Sequence, residues 1–132
     1  RMTAQRLMQA AAFAGLLVAG ATLATAQETA VQRGNSKFQH SCAPCHGAGP
    51  GDDGHALLPG TDALRIKYRG ALPPLLEERT DLTAPVLQVF LRNGSFSMPP
   101  FRPTELTDAE IADIAAYLAE SSQAAATSRQ SR

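Results

Sequence analysis

Cys42-Ala43-Pro44-Cys45-His46 places two thiols three positions apart and an imidazole immediately after them. That spacing projects both sulfurs toward the two vinyl groups of one porphyrin, and the adjacent ring falls under the iron, where a nitrogen can coordinate it. Two other readings of a CxxC pair compete. A zinc site needs further soft ligands, but Cys42 and Cys45 are the only cysteines, so histidines would have to complete it. A thioredoxin-like redox pair belongs between a strand and a helix, and the flanks here read as helical, without β-branched alternation. Covalent haem is the favoured reading, with thioether bonds at Cys42 and Cys45 and His46 as the proximal iron ligand.

The segment ahead of the motif bears on compartment. Arg1 and Arg6 mark a short basic start, Leu7 to Thr25 is apolar and free of charge, and Ala24-Thr25-Ala26 offers a small-x-small cleavage site. Residues 1–26 read as a secretory signal peptide, because Gln9, Gly15, Gly20 and the many Ala and Thr dilute the run below what a membrane span needs. A periplasmic location follows for the exported chain. Residues 27–132 suffice for one domain, and so small a core gains from a large apolar plate such as haem. They hold ten Lys and Arg against twelve Asp and Glu, a net charge of −2 that argues against nucleic acid as a partner.

The chain past residue 27 reads as all-α. Val31, Gly34 and Phe38 share one face of a helix running into the motif, and Gly34 within it implies close approach of another helix, with Tyr117 as the expected neighbour. Ala48 to Gly60 reads as loop, with turns at Pro50-Gly51 and Pro59-Gly60. Short helical pieces are expected over Asp62 to Tyr68 and Leu75 to Arg79. Thr83 is the expected N-cap of a helix with Val86, Val89 and Phe90 on its apolar face, ended by Asn93-Gly94. Thr107-Asp108-Ala109-Glu110 is a capping box, and Ile111, Ile114, Ala115 and Leu118 form the stripe behind it. Residues 27–120 make the haem domain, and residues 121–132, with no apolar period, read as a disordered tail.

The group opposite His46 decides what a haem does, because a strong second ligand closes the iron to substrates. With the signal removed, Met98 is the only methionine, and His40 and His55 are the only other histidines. Both histidines lie close to His46 in sequence and are expected to face solvent or to serve a structural role. Met98 lies 52 residues beyond His46, in Ser95-Phe96-Ser97-Met98-Pro99-Pro100-Phe101, where the prolines stiffen the loop that presents the thioether. A gap-filling core methionine is the competing role. Phe96 and Phe101 are expected to exclude water on that side. Around the centre, Pro59 is the candidate carbonyl acceptor for the second His46 nitrogen, and Arg65, Tyr68 and Arg69 are candidate contacts for the haem propionates. A solvated helix face is the alternative for that basic cluster.

Together, Gly34 and Phe38 ahead of the CxxCH, Met98-Pro99 behind it and Ala116-Tyr117-Leu118 in the closing helix resemble the class I c-type cytochromes. The resemblance implies a small all-α fold wrapped around one covalent haem c, with first and last helices crossing near Gly34 and Tyr117 and one haem edge exposed. The run from Arg92 to Phe101, followed by the acidic capped helix, is similar to the cytochrome subunits of flavocytochromes that oxidise 4-alkylphenols, the 4-cresol dehydrogenase and eugenol hydroxylase type. That similarity implies an FAD-containing dehydrogenase as redox partner, onward transfer to the respiratory chain, and no catalysis by this chain alone. A freely diffusing carrier serving another dehydrogenase or an oxidase is the alternative, and a haem sensor or enzyme with open iron is a third. The insert containing Arg65 to Arg79 departs from the flavocytochrome pattern.

Overall fold

The computed structural model describes residues 28–132, so the expected signal segment lies outside the described residues. Among the described residues, five α-helices and one 3-10 turn account for the regular structure: α1 (Ala30–Ser41), α2 (Ala43–His46), α3 (Pro59–Tyr68), the 3-10 turn Leu76–Glu78, α4 (Ala84–Asn93) and α5 (Asp108–Gln130). Among the described residues there is no strand, only an isolated bridge between Ser95 and Met98. The expected all-α architecture is the one observed. No described helix is long and apolar enough to cross a membrane.

The helices begin where their sequences supply partners for free N–H groups. Thr29 and Gln32 form a capping box at the start of α1, and Thr107 and Glu110 form the expected one on α5. Proline sits in the first turn of α2, α3 and α4, where a missing N–H costs nothing. α3 starts at Pro59, three residues earlier than its expected boundary, because Pro59-Gly60 opens the helix and does not make a separate turn. α4 ends at Gly94 with φ 72°, as its Asn-Gly signal implies.

Phe38, Leu82, Leu87, Leu91, Leu106, Ile111, Ile114 and Leu118 form the core. α1 crosses α5 so closely that a Cβ at Gly34 would stand 1.9 Å from the Asp113 carbonyl oxygen. The space at Gly34 is filled by the Asp113–Ile114 backbone, and Tyr117 packs on the first helix as expected, against Phe38 with ring centroids 5.4 Å apart. Arg33 spans Asp113 with two bonds of 2.7 and 2.9 Å, and Lys37 pairs with Glu110 at 2.6 Å. α4 is turned from its expected face. Leu87 and Leu91 are buried, whereas Val89 is 59 % exposed, because the i, i+4 leucines offer the longer side chains to the core.

Residues 121–130, expected to be disordered, continue α5 without a break. Ser122 is buried, its hydroxyl donating to the Ala119 carbonyl, and Arg129 reaches Glu78 beside the 3-10 turn. Ala124-Ala125-Ala126 supplies the strongest helix formers, and that propensity carries a segment lacking an apolar stripe.

Candidate haem site

The CxxCH motif starts at Cys42, the cap shared by α1 and α2, and runs through the single turn of α2. His46 N–H donates to the Cys42 carbonyl at 2.8 Å, which fixes cysteine and imidazole on one turn. Both cysteines are free, Cys45 exposed and Cys42 partly covered. Burial, with Cys45 alongside, pushes the Cys42 thiol up to about 11, the reverse of the depressed pKa of a redox-active CxxC. Among the described residues no group of three or more His, Cys, Asp or Glu is placed to hold a metal ion. That weighs against a zinc knuckle, which needs four ligands.

α3 holds the His46 ring from the side. A Cβ on Gly60 would stand 2.7 Å from His46 Cε1, 2.8 Å from Nδ1 and 2.8 Å from the Cys45 carbonyl oxygen, so only glycine lets the helix lie this close. The buried Thr61 hydroxyl donates to the Gly47 carbonyl at 3.0 Å and ties the same turn of α3 to the residue after His46. Burial lowers the His46 pKa, favouring the neutral imidazole that metal ligation requires. The bond expected from His46 to the Pro59 carbonyl is not formed. Nδ1 is buried with no hydrogen-bond partner. Pro59 is the first residue of α3, so its carbonyl is committed to the helix ladder, and the ring meets Gly60 instead.

Met98 sits in a turn closed by two backbone bonds with Ser95, of 3.0 and 2.9 Å. Phe101 N–H donates to the Leu91 carbonyl at 2.7 Å, and Arg92 links the Phe101 carbonyl at 3.0 Å to the Asp108 carboxylate at 2.5 Å. The loop is thereby anchored to the end of α4 and the start of α5. Met98 and Phe101 pack against the same hydrophobic core as Cys42, so motif and thioether border one apolar body. Phe96 does not exclude water: it is wholly exposed and its φ is 52°. The tight Ser95–Met98 turn forces a left-handed residue there and turns the ring outward.

His40 and His55 are both exposed, as expected. The basic cluster expected at the end of α3 is divided among different partners. Arg65 is exposed and pairs with Asp62 at 2.7 Å, Arg69 is exposed with φ 47°, and Tyr68 lies under the guanidinium of Arg79, 4.8 Å from ring centroid to carbon. Arg79 and Thr61 had no signal of their own. Arg79 reads only as the end of the short helical piece from Leu75.

The residues present fit a covalently bound haem. Two free thiols and an imidazole share one turn, and the imidazole is held in a cradle that a Cβ would fill. The family model described as Cytochrome C oxidase, cbb3-type, subunit III matches residues 29–118. No curated protein and no solved structure matches.

Proposed function

The chain belongs to the family described as Cytochrome C oxidase, cbb3-type, subunit III, and on that premise we propose that it carries single electrons through a haem attached at Cys42 and Cys45 and ligated by His46 and Met98. Membership makes it a c-type cytochrome with the small class I fold, and haem-based electron transfer is the coarse function. The axial pair is our reading. Its support is one observation: Cys42 and Met98 pack against the same core, with the His46 ring fixed by Gly60 on the motif side.

Haem supplies a reversible one-electron iron couple; the protein sets its ligands and surroundings. His46 presents a neutral nitrogen, held by α3 so that little reorganisation accompanies the change of iron charge. Met98 offers a soft thioether that favours the ferrous state, from a turn anchored at Leu91, Arg92 and Asp108. With His46 and Met98 holding the iron, a bound haem would be left to carry electrons and not to turn over a substrate.

The location we propose is the periplasm, supported by the signal-like composition of residues 1–26. The partner we propose is an FAD-containing dehydrogenase of 4-alkylphenols, supported by the similarity over Arg92 to Phe101, with electrons passed onward to the respiratory chain. The family description names an oxidase subunit, which favours as second reading a carrier that serves an oxidase. Co-purification with an FAD-containing chain selects the first reading, and efficient turnover by a purified oxidase with no flavoprotein selects the second.

Absorption spectra of the oxidised and reduced protein, compared with Met98→Ala, test the ligand set. The expected result is a methionine-to-iron charge-transfer band in the parent protein that the variant lacks. Ready binding of carbon monoxide by the reduced parent protein at neutral pH would overturn the Met98 assignment and leave a sensor or open-iron enzyme.

A further inference from the structure

Asn93-Gly94 ends α4 and opens the Met98 turn, and in such a pair no side chain shields the second backbone nitrogen from the first side-chain amide. Asn93 is exposed. Two bonds commit the groups that could react. The Asn93 side-chain amide donates to the Val89 carbonyl at 2.7 Å, and the Gly94 N–H donates to the Phe90 carbonyl at 2.8 Å. Both acceptors belong to the C-terminal end of α4, so the pair is held unreactive while that end stays wound.

The fold itself demands the glycine that makes the pair reactive. Gly94 has φ 72°, and a Cβ there would stand 2.8 Å from the Met98 carbonyl oxygen and 3.1 Å from the Pro100 nitrogen. That close approach also couples the helix end to the turn. Ser95, the next residue, exchanges both its backbone bonds with Met98, and Arg92, on the other side of the pair, ties the end of α4 to the Phe101 carbonyl and to Asp108. When the Met98 turn lifts, Gly94 loses the backbone it packs against, and the last bonds of α4 are free to open with it.

We propose that Asn93 is a deamidation site gated by closure of the Met98 turn. In the opened segment the Gly94 nitrogen attacks the Asn93 Cγ, a C–N bond forms, and the side-chain nitrogen leaves as ammonia, carrying off the Gly94 proton. Water then opens the succinimide at either carbonyl, giving aspartate or isoaspartate without any oxidant or reductant. Either product puts a carboxylate at the negative end of the α4 dipole and removes the donor to Val89. Isoaspartate also lengthens the main chain by a methylene just ahead of the turn. A passing loss of the Met98 geometry thereby becomes a lasting one. The link to the iron rests on the Met98 reading, whereas the gate rests on α4 and the turn alone.

The test incubates the full-length haem protein at mildly alkaline pH beside the same chain unfolded in urea and the folded variants Arg92→Gln, Asp108→Asn and Met98→Ala. Peptide mass spectrometry reads the exchange of amide for acid at residue 93, and chromatographic retention separates isoaspartate from aspartate. The unfolded chain is expected to deamidate there at least about tenfold faster than the folded parent protein. Arg92→Gln, which cuts the tie to Phe101 and Asp108, raises the folded rate several-fold. Asp108→Asn leaves the sequence around the pair untouched and acts in the same direction by a smaller factor. Equal rates in the folded and unfolded parent chains overturn the proposal, and so does a folded rate that neither variant changes while circular dichroism shows the fold intact. Met98→Ala is expected to exceed Arg92→Gln. A Met98→Ala rate no higher than the parent's, with the other two variants acting, breaks the link to the iron ligand and leaves the gate.

Discussion

The α1–α5 crossing and the turn that carries Met98 are held by different means. At the crossing, Gly34 meets backbone, Phe38 meets Tyr117, two ion pairs bracket the contact, and Ile111, Ile114 and Leu118 are at most 1 % exposed. The Met98 turn has two backbone bonds to Ser95, three further bonds at Phe101 and Arg92, and a wholly exposed Phe96 in a left-handed backbone. Apolar packing dominates the first region, with the two ion pairs at its margin, whereas the second is positioned by a few directional bonds and carries local strain. With Met98 as the proposed ligand, that division would suit a redox protein, the scaffold setting the geometry while the loop presents the thioether.

Substitutions that add a single carbon probe the crossing hardest. Gly34→Ala puts a methyl group 1.9 Å from a backbone oxygen that cannot move alone, and overpacking against backbone is expected to cost about 3 kcal/mol. Urea denaturation checks it, and an unchanged midpoint would break the contrast. Gly60→Ala has the smaller expected cost, about 2 kcal/mol, since part of the clash is with the tiltable His46 ring at 2.7 Å. Its signature is a changed haem spectrum with helix content unaltered by circular dichroism. Equal spectra for Gly60→Ala and the parent protein would mean that α3 does not set the imidazole.

Phe96→Gly acts in the opposite direction. Relief of left-handed strain at φ 52° is expected to raise stability by up to about 1 kcal/mol, because little packing is lost with a wholly exposed ring. A thermal midpoint lower than that of the parent protein would show that the ring has a structural partner. The smallest effect is a titration. Lys37 first, then the bonds from Thr107, draw Glu110 down from 4.5 to about 2. The unfolded chain then binds more protons between these values, so the contribution is complete above pH 4.5 and is lost as pH falls toward 2. Its half-exposed setting limits it to under about 1 kcal/mol. Glu110→Gln is expected to flatten that part of the acid denaturation curve, and an unchanged curve would remove Glu110 from the crossing's electrostatics.

Local patterns explain what was legible beforehand. The Thr107–Glu110 box, the Asn93-Gly94 stop and the Ile111–Leu118 stripe encode their structure within a few residues, and each occurs as read. The spacing of Cys42, Cys45 and His46 names its chemistry for the same reason. Features that depend on distant partners were hidden. Whether α4 centres its buried face on Val86, Val89 and Phe90 or on Leu87 and Leu91 depends on where α5 lies, and both sets fit a helical spacing. The final turns of α5 carry no apolar stripe, since Ser122 and small alanines do the packing there. Arg79 becomes notable only once it is seen buried beside Tyr68.

The pairing of Arg33 with Asp113 joins residues 80 apart in the chain, and this affects timing during synthesis. Loop closure across that length cannot begin until the segment encoding α5 has emerged, so the crossing forms last. Until then Cys42 lacks the neighbours that later cover part of it. Cys45 stays exposed in the finished fold, so the docking of the last helix narrows access to Cys42 alone.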